Sequence, residues 1–238
     1  NLHNARRARS PIVNVVGDHA RWHLPHDPLL ASDIESLARA TSDTVLRCAS
    51  ATLVAETTAR ALEAALAPPG RPVSLVVPDD VQAEACPEPR VPVRRRAPAP
   101  VPDAVVARAA RALRERPAAL LVGQGAARGR GLAAAGRIAA ATGAKLFSET
   151  FPARLERGRS RPLAERFPYF PEQAAAALAG VGTLILAGAR EPVAFFGYAG
   201  RPSVLRPEGG ASLFLARPDE DAAGALEVLA DSLGAARG

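Results

Sequence analysis

Five short runs in this 238-residue chain are almost wholly apolar: PIVNVV (11–16), VSLVVP (73–78), AALLVG (118–123), VGTLILAG (181–188) and ASLFLA (211–216). Side chains alternate across a strand, so a run with no regular polar alternation must be covered on both faces. Bounding Gly and Pro residues and lengths of six to eight residues favour strands over helices. Thr44–Arg47 and AKLFSE (144–149) read as further strands. Helix-length segments separate the strands. ATLVAETTARALEAAL (51–66) carries Leu53, Ala59, Leu62 and Leu66 near one face. Asp103 caps a helix through Arg114, a helix over 130–142 ends at Gly143, and Pro171 opens a helix over 171–180. Asp219, Glu220 and Asp221 put acid at the positive end of a last helix that stops at Gly234. Ser32-Asp33-Ile34-Glu35 has the spacing of a capping box for a short helix through about Arg39. Strand–helix–strand alternation with doubly buried strands predicts an α/β fold of parallel sheets in three layers.

The stretch CPEPRVPVRRRAPAPVP (86–102) interrupts this alternation. Its prolines remove amide donors and favour extended backbone, the composition of a linker. Residues 1–85 are therefore expected to form one unit, 86–102 a linker and 103–238 a second unit. The second unit reads as a complete doubly wound, Rossmann-like sheet, the first as only the back part of one. The chain holds no Met and opens on NLHNARRARS, which reads as the tail of a helix. A preceding portion is expected to be missing.

Net charge is +6, but the basic residues are spread along the chain and aromatics make up 4%. Nucleic-acid readers need clustered charge and stacking rings, so a nucleic-acid partner is not expected. Arg94–Arg96 is the local exception, readable as an anion site or as a solvated linker. Cys48 and Cys86 have neither metal-ligand spacing nor a disulfide framework, which suits a reducing, cytoplasmic setting. With no apolar stretch of about 20 residues and no signal-peptide pattern, a membrane partner is not expected either.

Two stretches could carry chemistry. Gly123-Gln124-Gly125-Ala126-Ala127-Arg128-Gly129 follows a strand and precedes a helix, where a dinucleotide's pyrophosphate would meet backbone amides and a helix N-terminus. Glu149, at the end of the next strand, could bond a ribose. The spacing is GxGxxxG rather than GxGxxG, so a plain strand-to-helix turn stays open as the alternative. His19, His23 and His26 fall close together, with Asp18 and Asp27 beside them. His23 and His26 flank Pro25 and lack helical register, so no metal site is expected. Asp18 and His19 instead lie just past a strand's carboxyl end, where ligands of open parallel sheets bind. An imidazole there suits proton transfer or polarising a carbonyl, with a surface histidine as the alternative. Ser148-Glu149-Thr150 and Arg190-Glu191 are further strand-end groups. The rings of Phe167, Tyr169, Phe170, Phe195, Phe196 and Tyr198 are expected to pack over helix or subunit surfaces.

The order NLHNARRARSPIVNVVGDHA, SDIESLARA and GRPVSLVVPDDV resembles the later half of the pyrimidine-binding domain of thiamine-diphosphate-dependent enzymes. After the linker, ALLVGQGAARGRGLAAAGRIAAATGAKLFSETFPARLERG and TLILAGAREPVAFFGY resemble the central (DHS-like) domain of acetolactate synthase large-subunit homologues. The resemblance implies part of a lyase or carboligase (a transferase) that cleaves a 2-keto acid or related donor and passes the resulting carbanion to an acceptor. It implies thiamine diphosphate and Mg²⁺ in the full-length enzyme, and a homo-dimer or tetramer with sites between subunits. The family's activating glutamate and its Gly-Asp-Gly…Asn segment lie outside this stretch, so the chain alone is expected to be inactive. Asn1 matches an asparagine beside the thiamine. Gly17, Asp18 and His19 fall at positions near the thiazolium and substrate, with His19 as the catalytic candidate, a proton relay or substrate-positioning group. Flavin-containing members bind FAD in the central domain, which would involve Gly123, Gly125 and Arg190. Many members carry no flavin, and none is the expected state here. A dinucleotide-binding (FAD or NAD) oxidoreductase module and a non-catalytic assembly domain remain the alternative readings.

Overall fold

A computed structural model describes residues 1–86 and 91–236; residues 87–90 of the linker stretch and 237–238 of the second unit lie outside the described residues. The chain divides into two compact units, Asn1–Ala97 and Pro98–Gly238.

The first unit runs α1 (Leu2–Ala8), β1 (Ile12–Asp18), α2 (Ile34–Arg39), β2 (Thr44–Arg47), α3 (Val54–Leu66), β3 (Pro72–Pro78) and α4 (Asp79–Ala83). Its three strands are parallel in the order β1-β3-β2, so all three carboxyl ends lie along one rim. The register pairs Asp18 with Pro78 and Arg47 with Val76. β3, the most apolar run, takes the centre and is buried almost throughout. α3 covers one face, but not through the leucines expected. Its buried positions are Thr57, Ala59, Ala61 and Ala65, while Leu53 is 41% exposed and Leu62 and Leu66 are half-buried. Ala61 and Ala65 lie one turn apart and pack with Val73 and Leu75. Small side chains at that spacing give the helix a flat face that sits close to the sheet. On β3, Ser74 is fully buried, and its Oγ meets the Ser42 hydroxyl at 2.8 Å and accepts from Asn14 Nδ2 at 3.2 Å.

Two local expectations shift. β1 continues two residues beyond the apolar run, through Gly17 and Asp18, because ladder pairing with β3 holds them in extended backbone. The cap of α2 is Asp33 rather than Ser32. Its carboxylate accepts from the Ser36 amide at 3.0 Å and the Ser36 hydroxyl at 2.6 Å. Those bonds hold the Asp33 carboxyl below the usual carboxylate range.

The second unit runs α5 (Asp103–Glu115), β4 (Ala118–Val122), α6 (Gly129–Thr142), β5 (Lys145–Ser148), β6 (Glu165–Arg166), α7 (Pro171–Ala177), β7 (Thr183–Ala187), β8 (Ala211–Ala216) and α8 (Ala222–Ser232). The sheet is parallel in the order β6-β5-β4-β7-β8. Leu120, Val122 and Ile185 face α5, α6 and α8; Ala119, Leu121, Leu184 and Leu186 face α7 and Phe167. Burial on both faces is the reason these strands carry no polar alternation. Asp103 is the first residue of α5 rather than its cap, and Asp221 caps α8 by accepting from the Gly224 amide at 2.9 Å. α7 ends at Ala177, three residues short of the expected end. β6, two charged residues long, carries no apolar signal and was not expected. Phe167 is buried edge-on to Phe147, whereas Phe151, Tyr169, Phe170, Phe195 and Phe196 form a chain of ring contacts with 4.7–5.9 Å centroid spacings on the surface. Among the described residues, no helix is long and apolar enough to cross a membrane.

Candidate functional site

In the first unit the rim of carboxyl ends is built from charged residues that finish each strand. Asp18 ends β1 with its side chain 4% exposed. Its Oδ1 accepts from the His19 amide at 2.8 Å, and its Oδ2 accepts from Arg47 Nη1 at 2.7 Å. Arg47 ends β2 and also donates through Nε to Glu35 Oε1 at 3.1 Å, while Arg39 donates to Glu35 Oε2 at 2.7 Å. Burial favours loss of the Arg47 proton, but the bonds to Asp18 and Glu35 outweigh it and keep the guanidinium charged. Asp18 is thus committed on both oxygens. It fixes the backbone at which His19 leaves the strand, and the half-buried imidazole begins the loop.

Arg21 ties that loop to the other two strand ends. It donates through Nε to Asp80 Oδ2 at 2.7 Å, through Nη2 to Glu84 Oε1 at 3.1 Å and through Nη1 to the Ala49 carbonyl, while its amide donates to Asp80 Oδ1 at 3.1 Å. Burial pushes the Asp80 carboxyl up, but the two bonds from Arg21 outweigh it, and the net shift is downward. Nothing local in the sequence marks Arg21 and Asp80 as partners, because they are 59 positions apart. That Arg47 ends a strand was legible, its partners were not.

Gly17, Asp18 and His19 therefore stand together at the rim. Gly17 is exposed, and a Cβ placed there would meet only Gln82 Nε2, at 3.8 Å. Asn1 is the exposed N-cap of α1, its side chain makes no capping bond, and no hydrogen bond joins it to Asp18 or His19 among the described residues. The rings of His19 and His23, and of His23 and His26, lie 6.1 Å apart between centroids. Among the described residues no three His, Cys, Asp or Glu side chains are grouped to hold a metal ion.

The second unit has its own strand-end cluster. The Gly123 amide donates to the Ala187 carbonyl at 3.0 Å, and a Cβ at Gly123 would lie 2.6 Å from Glu149 Oε2 and 2.7 Å from the Gly188 carbonyl oxygen. Glu149 Oε1 accepts from the Arg190 amide at 3.1 Å. Gly125 meets nothing within 4 Å at its Cβ position. At the start of α6, the Gly129 amide donates to Glu156 Oε2 at 2.8 Å. Glu149 thus links Gly123 to the Arg190 backbone, Glu156 meets the same turn at Gly129, and Gly125 lies between Gly123 and Gly129 in sequence.

No family model matches the chain. Over 235 residues, 98% of its length, the chain is 47% identical to IlvX of Mycobacterium tuberculosis, an acetolactate synthase large-subunit homologue. The chain is an acetolactate synthase large-subunit homologue. This homologue spans about half the length of that relative, 45%. Its fold is that of thiamine-diphosphate-dependent enzymes. The 4-hydroxybenzoylformate decarboxylase of Rhodococcus jostii RHA1 superposes over 100% of the chain and 48% of its own, with a TM-score of 0.78 at 20% identity. The benzoylformate decarboxylase of Polynucleobacter necessarius superposes over 100% of the chain and 47% of its own, with a TM-score of 0.75 at 21% identity.

Proposed function

We propose that the chain forms part of a thiamine-diphosphate-dependent lyase or carboligase that acts on a 2-keto acid or a related donor. The observation that carries this reading is the Gly17-Asp18-His19 corner at the carboxyl rim of a parallel sheet, in a chain 47% identical to an acetolactate-synthase-like protein. Ligands of open α/β sheets bind beyond that rim. The open space above Gly17 fits close approach of a flat cofactor ring, since little of the chain fills it. Thiamine diphosphate supplies the electron sink for breaking the bond next to the carbonyl, and the protein supplies orientation and proton transfer. His19 is the group for that second task. An imidazole can both donate and accept a proton, and Asp18, locked by Arg47, fixes where its backbone starts. Gly17 and Asn1 line the approach of the cofactor. Mg²⁺ and the diphosphate are held by the rest of the full-length enzyme, and the 238-residue chain alone turns over no substrate.

The enzyme is cytoplasmic and homo-oligomeric, a dimer or tetramer. Supporting an interface on the first unit, Trp22, Leu29, Leu30 and Leu37 are exposed, with Leu29 at 98%. Four large apolar side chains exposed within positions 22–37 suit an association surface.

The test is turnover by the full-length protein of a panel of 2-keto acids, benzoylformate and 4-hydroxybenzoylformate among them, with and without thiamine diphosphate. The reading expects consumption of at least one 2-keto acid that requires the cofactor. Cofactor-independent turnover, or none across the panel, contradicts it.

A further inference from the structure

We infer that the glycine turn of the second unit is a nucleotide-type cradle closed by two of the chain's own carboxylates, Glu149 and Glu156, which keep dinucleotides out and make these two residues the determinants of that specificity. This goes beyond the proposed thiamine chemistry, which involves the first unit, and stands or falls independently of it.

In a dinucleotide-binding α/β sheet, glycines let the ligand's pyrophosphate approach the backbone, and the following helix N-terminus supplies amides and positive charge. Here the chain uses both features for itself. α6 has no acidic residue in its first turn and no side-chain cap from Arg128, so its N-terminus calls for an anion from elsewhere. Glu156 supplies it, accepting from the Gly129 amide at 2.8 Å, while its own amide donates to the Ala127 carbonyl at 3.2 Å. Arg161 Nε stands 3.6 Å from the same carboxylate oxygen. Glu156 belongs to the strap 149–164 between β5 and β6, which is fastened to the unit on both sides of it. Leu155 packs on the core beneath α5, α6 and α8, and Pro162 lies against Gly136 of α6, where a Cβ would come within 2.3 Å of its ring.

Glu149 closes the other end. Its Oε2 lies 2.6 Å from where a Cβ on Gly123 would be, too close to admit one, and its Oε1 accepts from the Arg190 amide. Three glycines of this turn therefore have an internal reason that involves no ligand. Gly123 makes room for Glu149 and the Gly188 carbonyl, Gly129 adopts φ +48°, and Gly131 admits the Gly125 carbonyl at 2.6 Å from its Cβ position. Gly125 and Gly129 both meet nothing within 4 Å at their Cβ positions, so the opening that remains lies between Glu149 and Glu156. A pyrophosphate entering here would lie beside two carboxylates and compete with one of them for the helix amide, and like charges at such separations repel strongly.

The experiment is calorimetric titration of the 238-residue chain with FAD and, separately, with ADP. The wild-type chain is expected to show no saturable binding up to about 1 mM of either probe. The double variant Glu149→Gln/Glu156→Gln, its fold checked by circular dichroism, is expected to bind ADP at least about tenfold more tightly. Micromolar binding by the wild type, or a folded double variant that binds no better, overturns the inference. A second readout needs only the mildest variant. In Glu156→Gln the Gly129 amide is expected to exchange its hydrogen about tenfold faster than in the wild type, and equal exchange rates overturn the closure at α6.

Discussion

Asp18 and Arg47 illustrate how a few side chains set the geometry at the rim. Asp18 is nearly buried and has both oxygens committed, so removing its cation strands a carboxylate in a poor solvent. Exposed ion pairs contribute at most about 1 kcal/mol, and breaking fully buried ones costs about 3–5 kcal/mol. With Asp18 buried and Arg47 one-third exposed, Arg47→Ala is expected to destabilise the chain by about 2 kcal/mol, read by urea denaturation. Arg47→Lys, which keeps charge but loses the forked geometry between Asp18 and Glu35, is expected to recover only part of it. Asp80 yields a pH prediction. Its folded-state pKa is depressed, so the stability it contributes is complete above the ordinary aspartate value of about 3.9 and is lost as pH falls through the lower folded value. The difference in melting temperature between wild type and Asp80→Asn is therefore expected to be flat from about pH 5 to about pH 8 and to shrink below about pH 4. A difference that grows on acidification contradicts the assignment. None of these partnerships was legible in the sequence, since each joins residues from separate elements. What was legible was the kind of position, a polar group ending an apolar strand.

At the scale of elements, the apolar runs announced the strands, and β1, β3, β4, β7 and β8 all fall on them. The expected burial on both faces holds for the central β3, β4 and β7, whereas edge strand β1 has no fully buried residue and its Val15 is 66% exposed. Helix faces were harder. In α3 the expected stripe joined Ala59 to three leucines; Ala59 is buried beside Ala61 and Ala65 while the leucines are not, because close approach to a sheet rewards small side chains as much as apolar ones. β6 escaped notice because its two polar residues pair through backbone alone. The strap that follows β5 makes a sharp prediction at Gly136. In an exposed helix interior, Gly→Ala gains about 1 kcal/mol. Here the added methyl would sit 2.3 Å from Pro162 Cγ, and a proline ring cannot swing aside. Gly136→Ala is expected to lower the melting temperature and to expose the arginine-rich strap to trypsin, whereas a rise would mean that the strap is not fastened there.

At the scale of the whole molecule, the parallel sheets explain why two separate clusters of strand-end residues arise in one chain. Each sheet collects its carboxyl ends along one rim, and the two rims carry opposite solutions. The first leaves Gly17 open and presents an imidazole, while the second fills its glycine turn with carboxylates. The exposed Trp22, Leu29, Leu30 and Leu37 add an expectation about assembly. Light scattering of the full-length protein should report a dimer or tetramer, and Leu29→Asp combined with Leu30→Asp should shift it toward monomer. An unchanged mass would place the interface elsewhere. The role proposed for His19 is to handle the proton or position the substrate in a thiamine-diphosphate-dependent reaction. Its most direct measurement is kcat/KM of the full-length enzyme and its His19→Ala variant on the same 2-keto acid with saturating cofactor. A loss of about 10²-fold or more, with cofactor affinity unchanged, is the predicted result. An unchanged kcat/KM would contradict it.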